Sequence, residues 1–230
     1  VALPASWALS RYTFRGARLV RGVLTAPFVL PAVVVAAGVL AITDSRGVIP
    51  ILWAHIVFNV SVVLRIVGPR WSMVNLRLEH AAASLGARPS RTFSLVVLPQ
   101  ISDAVISAAT LVLIYCFTSF GVIAILGGVS RRTLESEIFT QAVRLGNTET
   151  ATALAVLQAV IICTVIYIAR QSSRPNSTFL HVSAPQPLRT KPRHRNTPLI
   201  ISATAIICVA SPLVAPIYRS LVVNGNVSFD

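Results

Sequence analysis

Residues 22–42 read GVLTAPFVLPAVVVAAGVLAI and contain no charged side chain. As a helix rising about 1.5 Å per residue, this stretch would reach roughly 31 Å, enough to cross the hydrocarbon core of a bilayer. Four more apolar stretches, interrupted by charge only at Arg65, follow at residues 50–67, 104–128, 151–169 and 198–218. Residues 1–9 are too short to span, and we expect them to be the end of a further helix. The sequence therefore predicts an all-α fold, a polytopic transmembrane helical bundle.

Composition agrees with a membrane location. The 230 residues are 54% hydrophobic and 12% charged, and the mean hydropathy is +0.74. Soluble domains usually carry charge on about a quarter of their residues, so an ordinary soluble enzyme is excluded. Because neither Val1 nor Asp230 looks like a natural terminus, we expect the chain to be a piece of a longer protein.

The basic residues indicate the orientation of the bundle. The 20 Lys and Arg residues and 7 Asp and Glu residues give a formal net charge of +13. Fifteen of the basic residues lie within residues 11–21, 65–91 and 170–195, and the other five are Arg46, Arg131, Arg132, Arg144 and Arg219. The positive-inside rule places the first set in the cytoplasm. The membrane topology thus explains the positive charge. We expect the basic residues to contact anionic membrane lipids and not nucleic acid.

A long cytoplasmic segment, residues 70–100, has helical periodicity. Its apolar stripe consists of Val74, Leu78, Ala81 and Leu85. Gly86 follows where a helix C-terminus favours φ > 0, and Pro89 suits the first turn of a second, short helix. The pattern predicts a helix–turn–helix whose apolar side contacts the membrane domain and whose His80 and Ser84 face a partner. An amphipathic surface loop without a partner is an equally good interpretation.

The sequence contains no catalytic motif. Its single lysine, Lys191, lies in Thr-Lys-Pro, so a phosphate-binding P-loop cannot occur. Cys116, Cys163 and Cys208 lie in apolar stretches and form no metal-binding pattern, so we expect no catalytic residue, metal or other cofactor. Ion-coupled secondary transporters usually need ionisable groups at mid-depth, which these stretches almost lack. That class and a membrane assembly protein without transport activity are the alternatives to a permease.

The cytoplasmic segment resembles a known motif. Residues 80–86 read HAAASLG and, nine residues later, residues 96–99 read VVLP. This is similar to the EAA motif (EAAxxxG, nine residues, IxLP) of binding-protein-dependent ABC importer permeases. The Glu of the motif falls on His80, while Glu79 lies one residue earlier. In that family the motif docks on ABC ATPase subunits, which implies ATPase coupling through Glu79, His80, Ala81, Ala82, Ser84, Gly86, Leu98 and Pro99.

Other stretches extend the resemblance to the ferric-iron and thiamine importer permeases, in which two permease halves are fused. In chain order these stretches are APFVLP at 26–31, AHIVFN at 54–59, Arg65, FTSFG at 117–121, LGG at 126–128 and TLESEIF at 133–139. The resemblance implies a MetI-like fold in the bacterial inner membrane. It also implies a division into a first half at residues 1–169, a basic cytoplasmic linker at 170–197, and the opening of a second half at 198–230.

The resemblance further implies where a solute would pass. Polar residues inside membrane spans should face protein or a water-filled path. Asn59, Thr118 and Ser119, with Phe120, are therefore candidates for the translocation path, although hydrogen bonding between helices explains the polar three equally well. A periplasmic or lipid-anchored solute-binding protein would deliver ferric iron or thiamine to the outer loops, including residues 128–150.

Overall fold

The computed structural model describes residues 1–128, 131–172, 196–223 and 226–227. Its helices and strands are α1 (Ala2–Arg11), α2 (Ala17–Thr25), α3 (Ala32–Thr43), α4 (Val48–Ser72), α5 (Leu76–Ser84), α6 (Pro89–Thr92), α7 (Leu98–Phe117), α8 (Phe120–Leu126), α9 (Leu134–Phe139), α10 (Thr148–Ser172), α11 (Asn196–Leu221), β1 (Val222–Val223) and β2 (Asn226–Val227). A 3₁₀ turn (Ala26–Phe28) and two π-helical turns (Phe93–Val97 and Thr140–Arg144) extend α2, α6 and α9. Apart from the antiparallel β1–β2 pair, the regular structure is helical, which confirms the predicted all-α class.

Within the described residues, four helices are long and apolar enough to cross a membrane. They are Val48–Ser72, Pro89–Phe117, Thr148–Ser172 and Asn196–Pro216. Three of them confirm the predicted spans at residues 50–67, 151–169 and 198–218. The predicted linker at 170–197 lies mostly outside the described residues, which resume at Asn196.

The stretch at 22–42 is sharply bent, so it is not one continuous helix of about 31 Å. The two arms, Ala17–Phe28 and Ala32–Thr43, meet at 105°, and they make a fifth span only when counted together. Proline cannot donate the backbone hydrogen bond that continues a helix. Pro31 stands at the N-cap of α3, where the second arm begins. The outer arm, α3, is therefore only about 18 Å long.

The prediction for residues 104–128 also needs correction. The helix there starts earlier, at Pro89, and ends at Phe117. Thr118 and Ser119 leave the helical conformation, and the short α8 follows them. With 29 residues the helix is about 43 Å long. It therefore crosses the apolar core and continues into the segment that carries the motif-like residues.

The core of the bundle is formed by α1, α2, α3, α4, α8 and α11. Its fully buried side chains include Leu24, Val35, Val39, Val57, Val60, Leu126 and Val209. The backbones of α3 and α11 approach closely, because a Cβ placed on Gly38 would collide with the Pro212 carbonyl oxygen. Trp53 Nε1 on α4 donates a 3.0-Å hydrogen bond to the Cys208 carbonyl on α11. α11 is thus an integral part of the bundle.

Candidate functional site

The cytoplasmic segment begins with a short capped helix, α5. The Asn75 side chain accepts a 3.0-Å hydrogen bond from the Arg77 backbone N–H at its start. At its end Gly86 has φ +78°, which confirms the expected positive φ. The Gly86 and Ala87 N–H groups donate 3.0-Å bonds to the Ala83 and Ala82 carbonyls, the pairing of a Schellman cap. Gly86 therefore ends α5 and turns the chain toward α6.

The second helix of the segment is not short. α6 starts at Pro89, as predicted, but continues through a π-helical turn into α7. Leu98 and Pro99 thus lie in the first turn of α7. The helical hydrogen bonds run on through the π turn, so Pro89–Phe117 is one continuous helix that joins the α5–α6 turn to a membrane span.

The predicted apolar anchor of α5 is wrong. Val74 is 6% exposed and packs in the bundle, but Leu78 is 41% and Leu85 is 88% exposed. No residue of α5 is buried. Its alanines present too little apolar area to hold the helix on the membrane domain, so polar contacts must do so.

An ion pair tethers α5 to α1. The two terminal nitrogens of the Arg11 guanidinium each donate to one carboxylate oxygen of Glu79, with Arg11 Nη1 and Glu79 Oε2 3.1 Å apart. The two side chains are 8% and 22% exposed, so solvent screens the pair weakly. A second polar contact, from the Asn75 N–H to Gln100 Oε1 at 3.2 Å, joins the start of α5 to α7. The sequence analysis missed Arg11, because nothing in sequence selects it among fifteen cytoplasmic basic residues.

The residues implied in coupling lie together at this end of the molecule. His80 and Ser84 are exposed and line an open cavity of about 750 Å³ beside α5, whose opposite wall includes Trp7, Arg11 and Trp71. Ala81, Gly86 and Leu98 are also exposed, while Ala82 and Pro99 are partly buried. The segment is therefore a protruding turn with an accessible surface.

The four candidate path residues lie around one second cavity, of about 380 Å³. Asn59, Thr118, Ser119 and Phe120 all line it. Phe28, His55, Phe58 and Tyr115, which the sequence analysis did not select, complete its polar and aromatic wall. Two helix breaks border the cavity, one after Phe28 and one at residues 118–119. Irregular backbone at membrane depth is stable only where it is covered by protein or lines a water-filled cavity.

The polar groups of this cavity are partly paired. Asn59, which is 7% exposed, donates from Nδ2 to Cys116 Sγ at 3.3 Å and so joins α4 to α7. Thr118 donates to the Ile114 carbonyl of its own helix at 3.0 Å. The interpretation as a contact between helices thus applies to Asn59, and the same residue also faces the cavity.

A short outer helix, α9, reaches the cavity wall. Thr133 and Ser136 form a capping box that starts the helix. Gln158 on α10 donates a 2.6-Å hydrogen bond to Glu135, which docks α9 on a membrane span. Phe139 packs against Phe120, with ring centroids 4.6 Å apart. A hydrogen bond from Gln141, aided by Arg132, holds the pKa of the partly exposed Glu137 carboxyl below its usual value.

The chain is similar in sequence to known proteins. Over residues 1–176 the chain matches the family described as "Binding-protein-dependent transport system inner membrane component". It is 29% identical to the putrescine transport system permease protein PotI of Escherichia coli (strain K12), across 63% of this chain and 54% of that protein. It is 27% identical to the thiamine transport system permease protein ThiP of Brucella abortus (strain 2308), across 96% of this chain and 45% of that protein.

A third relative carries a different solute in its name. The sulfate transport system permease protein CysT of Synechococcus elongatus is 32% identical across 42% of this chain and 40% of its own length. The chain spans about half the length of the curated relatives it matches.

Proposed function

Since the chain belongs to the family of binding-protein-dependent transport system inner membrane components, we propose that it forms the translocation path of an ATP-driven importer. It is a multi-pass inner-membrane protein. The observation that carries the proposal is the 380-Å³ cavity between the two helix breaks, which brings together Asn59, Thr118, Ser119 and Phe120. A solute released by a binding protein at the outer face would pass through this cavity.

The mechanism we propose is alternating access driven by separate ABC ATPase subunits. The protruding α5–α6 turn would dock on the ATPase through His80, Ala81, Ala82, Ser84 and Gly86. Glu79 would hold the docked helix to α1 through Arg11, and Leu98 and Pro99 would pass its displacement into α7. Because α7 ends at Phe117, just before Thr118 in the cavity wall, a shift of the helix would move that wall.

The outer contacts support entry from the opposite side. α9 lies near the end of the molecule where the Gly47 N–H donates a 2.8-Å hydrogen bond to the Leu126 carbonyl. Its Phe139 touches Phe120 of the cavity wall. Docking of a periplasmic or lipid-anchored binding protein on the outer loops could therefore be transmitted to the cavity through one aromatic contact.

For the solute we place thiamine first and ferric iron second, the two that the fused-half resemblance implies. The relative named for thiamine aligns across 96% of this chain. The names of other relatives give putrescine and sulfate. The long alignment also supports the proposal that residues 1–169 and 198–230 belong to two successive permease halves.

The test reconstitutes the complete transporter, with its ATPase subunits and binding protein, in proteoliposomes. We expect uptake of radiolabelled thiamine to require hydrolysable ATP on the cytoplasmic side and to resist collapse of ion gradients by a protonophore. Uptake that follows an imposed ion gradient without ATP would contradict the proposal and favour an ion-coupled secondary transporter. Absence of transport under every condition would favour an assembly protein.

A further inference from the structure

We infer that the 380-Å³ cavity accepts an organic solute that carries amino or ammonium N–H groups, with His55 and Asn59 as its hydrogen-bond acceptors. The inference rests on the proposed function, because it takes this cavity to be the solute path. It adds a chemical class and a residue, His55, to that path.

His55 lines the cavity, and one nitrogen of its ring lacks a hydrogen-bond partner among the described residues. Its Nδ1 lies 2.8 Å from the Ile51 carbonyl oxygen, which can only accept, so Nδ1 carries a proton. The other nitrogen, Nε2, is buried and has no hydrogen-bond partner among the described residues. This leaves Nε2 as the ring nitrogen available to accept a hydrogen bond.

Asn59 repeats this arrangement one helical turn along α4. Its Nδ2 is engaged by Cys116 Sγ, whereas its Oδ1 is buried and unpaired within the part of the chain that the structure describes. Residues four apart lie on the same helix face, and both side chains line the cavity. Two adjacent side chains of the cavity wall thus each carry an acceptor that lacks a donor among the described residues, an arrangement that a solute rich in N–H groups would satisfy.

The remaining wall favours a positive or neutral organic solute. It contains the rings of Phe28, Phe58, Tyr115 and Phe120, and none of the lining residues that the structure describes is charged. Arg65 already lies over Phe28, 5.1 Å from the ring centroid. The rings of Phe58, Tyr115 and Phe120 are therefore the ones available to a cationic solute. None of the described lining residues is basic and could pair with an anion, and none supplies a carboxylate for a bare hard metal ion.

Protein atoms cover the two acceptor atoms in this conformation, as expected for a binding site that forms only during transport. Both atoms are buried in this conformation, so a solute reaches them only when the adjoining walls move. Those walls are the bent segment after Phe28 and residues 118–119, which are the two helix breaks. The volume lies at the small end of ligand pockets, which run from about 300 to 1,000 Å³.

The experiment measures equilibrium binding of three labelled probes, thiamine, putrescine and sulfate, to the complete permease–ATPase complex in lipid nanodiscs without binding protein. We expect at least one of the two amine probes to bind saturably and sulfate not to bind. His55→Leu and Asn59→Leu should each weaken amine binding about tenfold or more, since each leaves a solute donor unpaired. The matched control is Thr110→Val on α7, whose hydroxyl bonds the Ile106 carbonyl of its own helix; its Kd should stay within about twofold.

Several outcomes overturn the inference. These are saturable sulfate binding, no saturable binding of either amine probe, or wild-type Kd values in both leucine variants. Should His55→Leu fail to fold, Asn59→Leu and His55→Gln decide, because Gln keeps an acceptor and should bind within about threefold of wild type. Uptake assayed in parallel separates the two claims. Loss of ATP dependence defeats the proposed function, whereas amine binding that His55→Leu weakens still supports the site.

Discussion

Gly86 is a single residue on which the shape of the α5–α6 turn depends. Its φ of +78° lies in the left-handed region, and a Cβ added there would meet nothing within 4 Å. Substitution therefore introduces backbone strain without a steric clash. Valine should cost about 1–3 kcal/mol there, whereas asparagine tolerates this conformation.

We therefore expect Gly86→Val to uncouple transport from ATP hydrolysis and Gly86→Asn to remain near wild type. Insertion depends on the apolar spans, so both variants should reach the membrane in normal amounts. His80→Ala should be milder than Gly86→Val, because it removes at most a hydrogen bond or two, each worth about 0.5–1.5 kcal/mol. Uptake and ATPase co-purification, measured together, check this. Normal uptake by Gly86→Val would refute the role of the turn.

The Arg11–Glu79 pair gives a second prediction at the residue scale. Arg11→Ala leaves the Glu79 carboxylate, 22% exposed, without its partner, and should loosen α5 and lower uptake several-fold. Breaking a buried pair costs about 3–5 kcal/mol, and this partly exposed one should cost less. The exchange Arg11→Glu with Glu79→Arg should restore part of the activity.

The matched control for this pair is Arg132→Ala. It removes an ion pair with Glu137 in which the arginine is 65% exposed, and such surface pairs contribute about 0–1 kcal/mol. Equal losses in Arg11→Ala and Arg132→Ala, or no recovery in the exchanged double variant, would show that the tether of α5 to α1 is not specific.

Among the secondary elements, α3 and α11 form the tightest contact. A side chain at Gly38 would meet the Pro212 backbone, whereas one at Gly22 would meet nothing within 4 Å. Gly38→Ala should therefore separate the two helices and lower the Tm of the detergent-solubilised protein by several degrees, since overpacking costs about 1–3 kcal/mol. Gly22→Ala is the control and should leave the Tm nearly unchanged. Equal Tm values for both variants would contradict this packing.

The sequence could predict which elements exist better than how they bend. Apolar runs located α4, α10 and α11, because a helix in lipid satisfies its own backbone and needs little tertiary information. The 105° bend after Phe28 could not be predicted. A proline only permits a break, and the neighbouring helices decide whether the chain kinks or turns.

The candidate site likewise contains residues that the sequence could predict and residues that it could not. Gly86 could be predicted because its requirement is local, a positive φ at a helix end. Glu79 was selected, but its partner Arg11 lies 68 residues away, a distance at which sequence offers no pairing signal. His55 was missed because its functional feature is an unpaired Nε2, which only three-dimensional packing reveals.

The orientation of the whole molecule gives a further prediction. The Arg11–Glu79 and Arg70–Asp103 contacts place residues from two of the basic segments, 11–21 and 65–91, on polar partners within the described part of the chain. The positive-inside rule predicts that these segments share one side of the membrane. A single cysteine replacing Ser183, in a variant free of the three native cysteines, should resist membrane-impermeant thiol reagents in intact cells and react in inside-out vesicles. Labelling in intact cells would reverse the assigned topology.

The central claim is that ATPase movements at the α5–α6 turn open and close the cavity at the helix breaks. The most direct test is to measure the accessibility of a single cysteine replacing Ser119, in the complete transporter without its native cysteines. The rate of modification by an impermeant thiol reagent is measured from each side of the membrane, without nucleotide and with ATP and vanadate. The account predicts that the accessible side changes with nucleotide state, and that Gly86→Val abolishes the change. Modification from one side at the same rate in every state would contradict it.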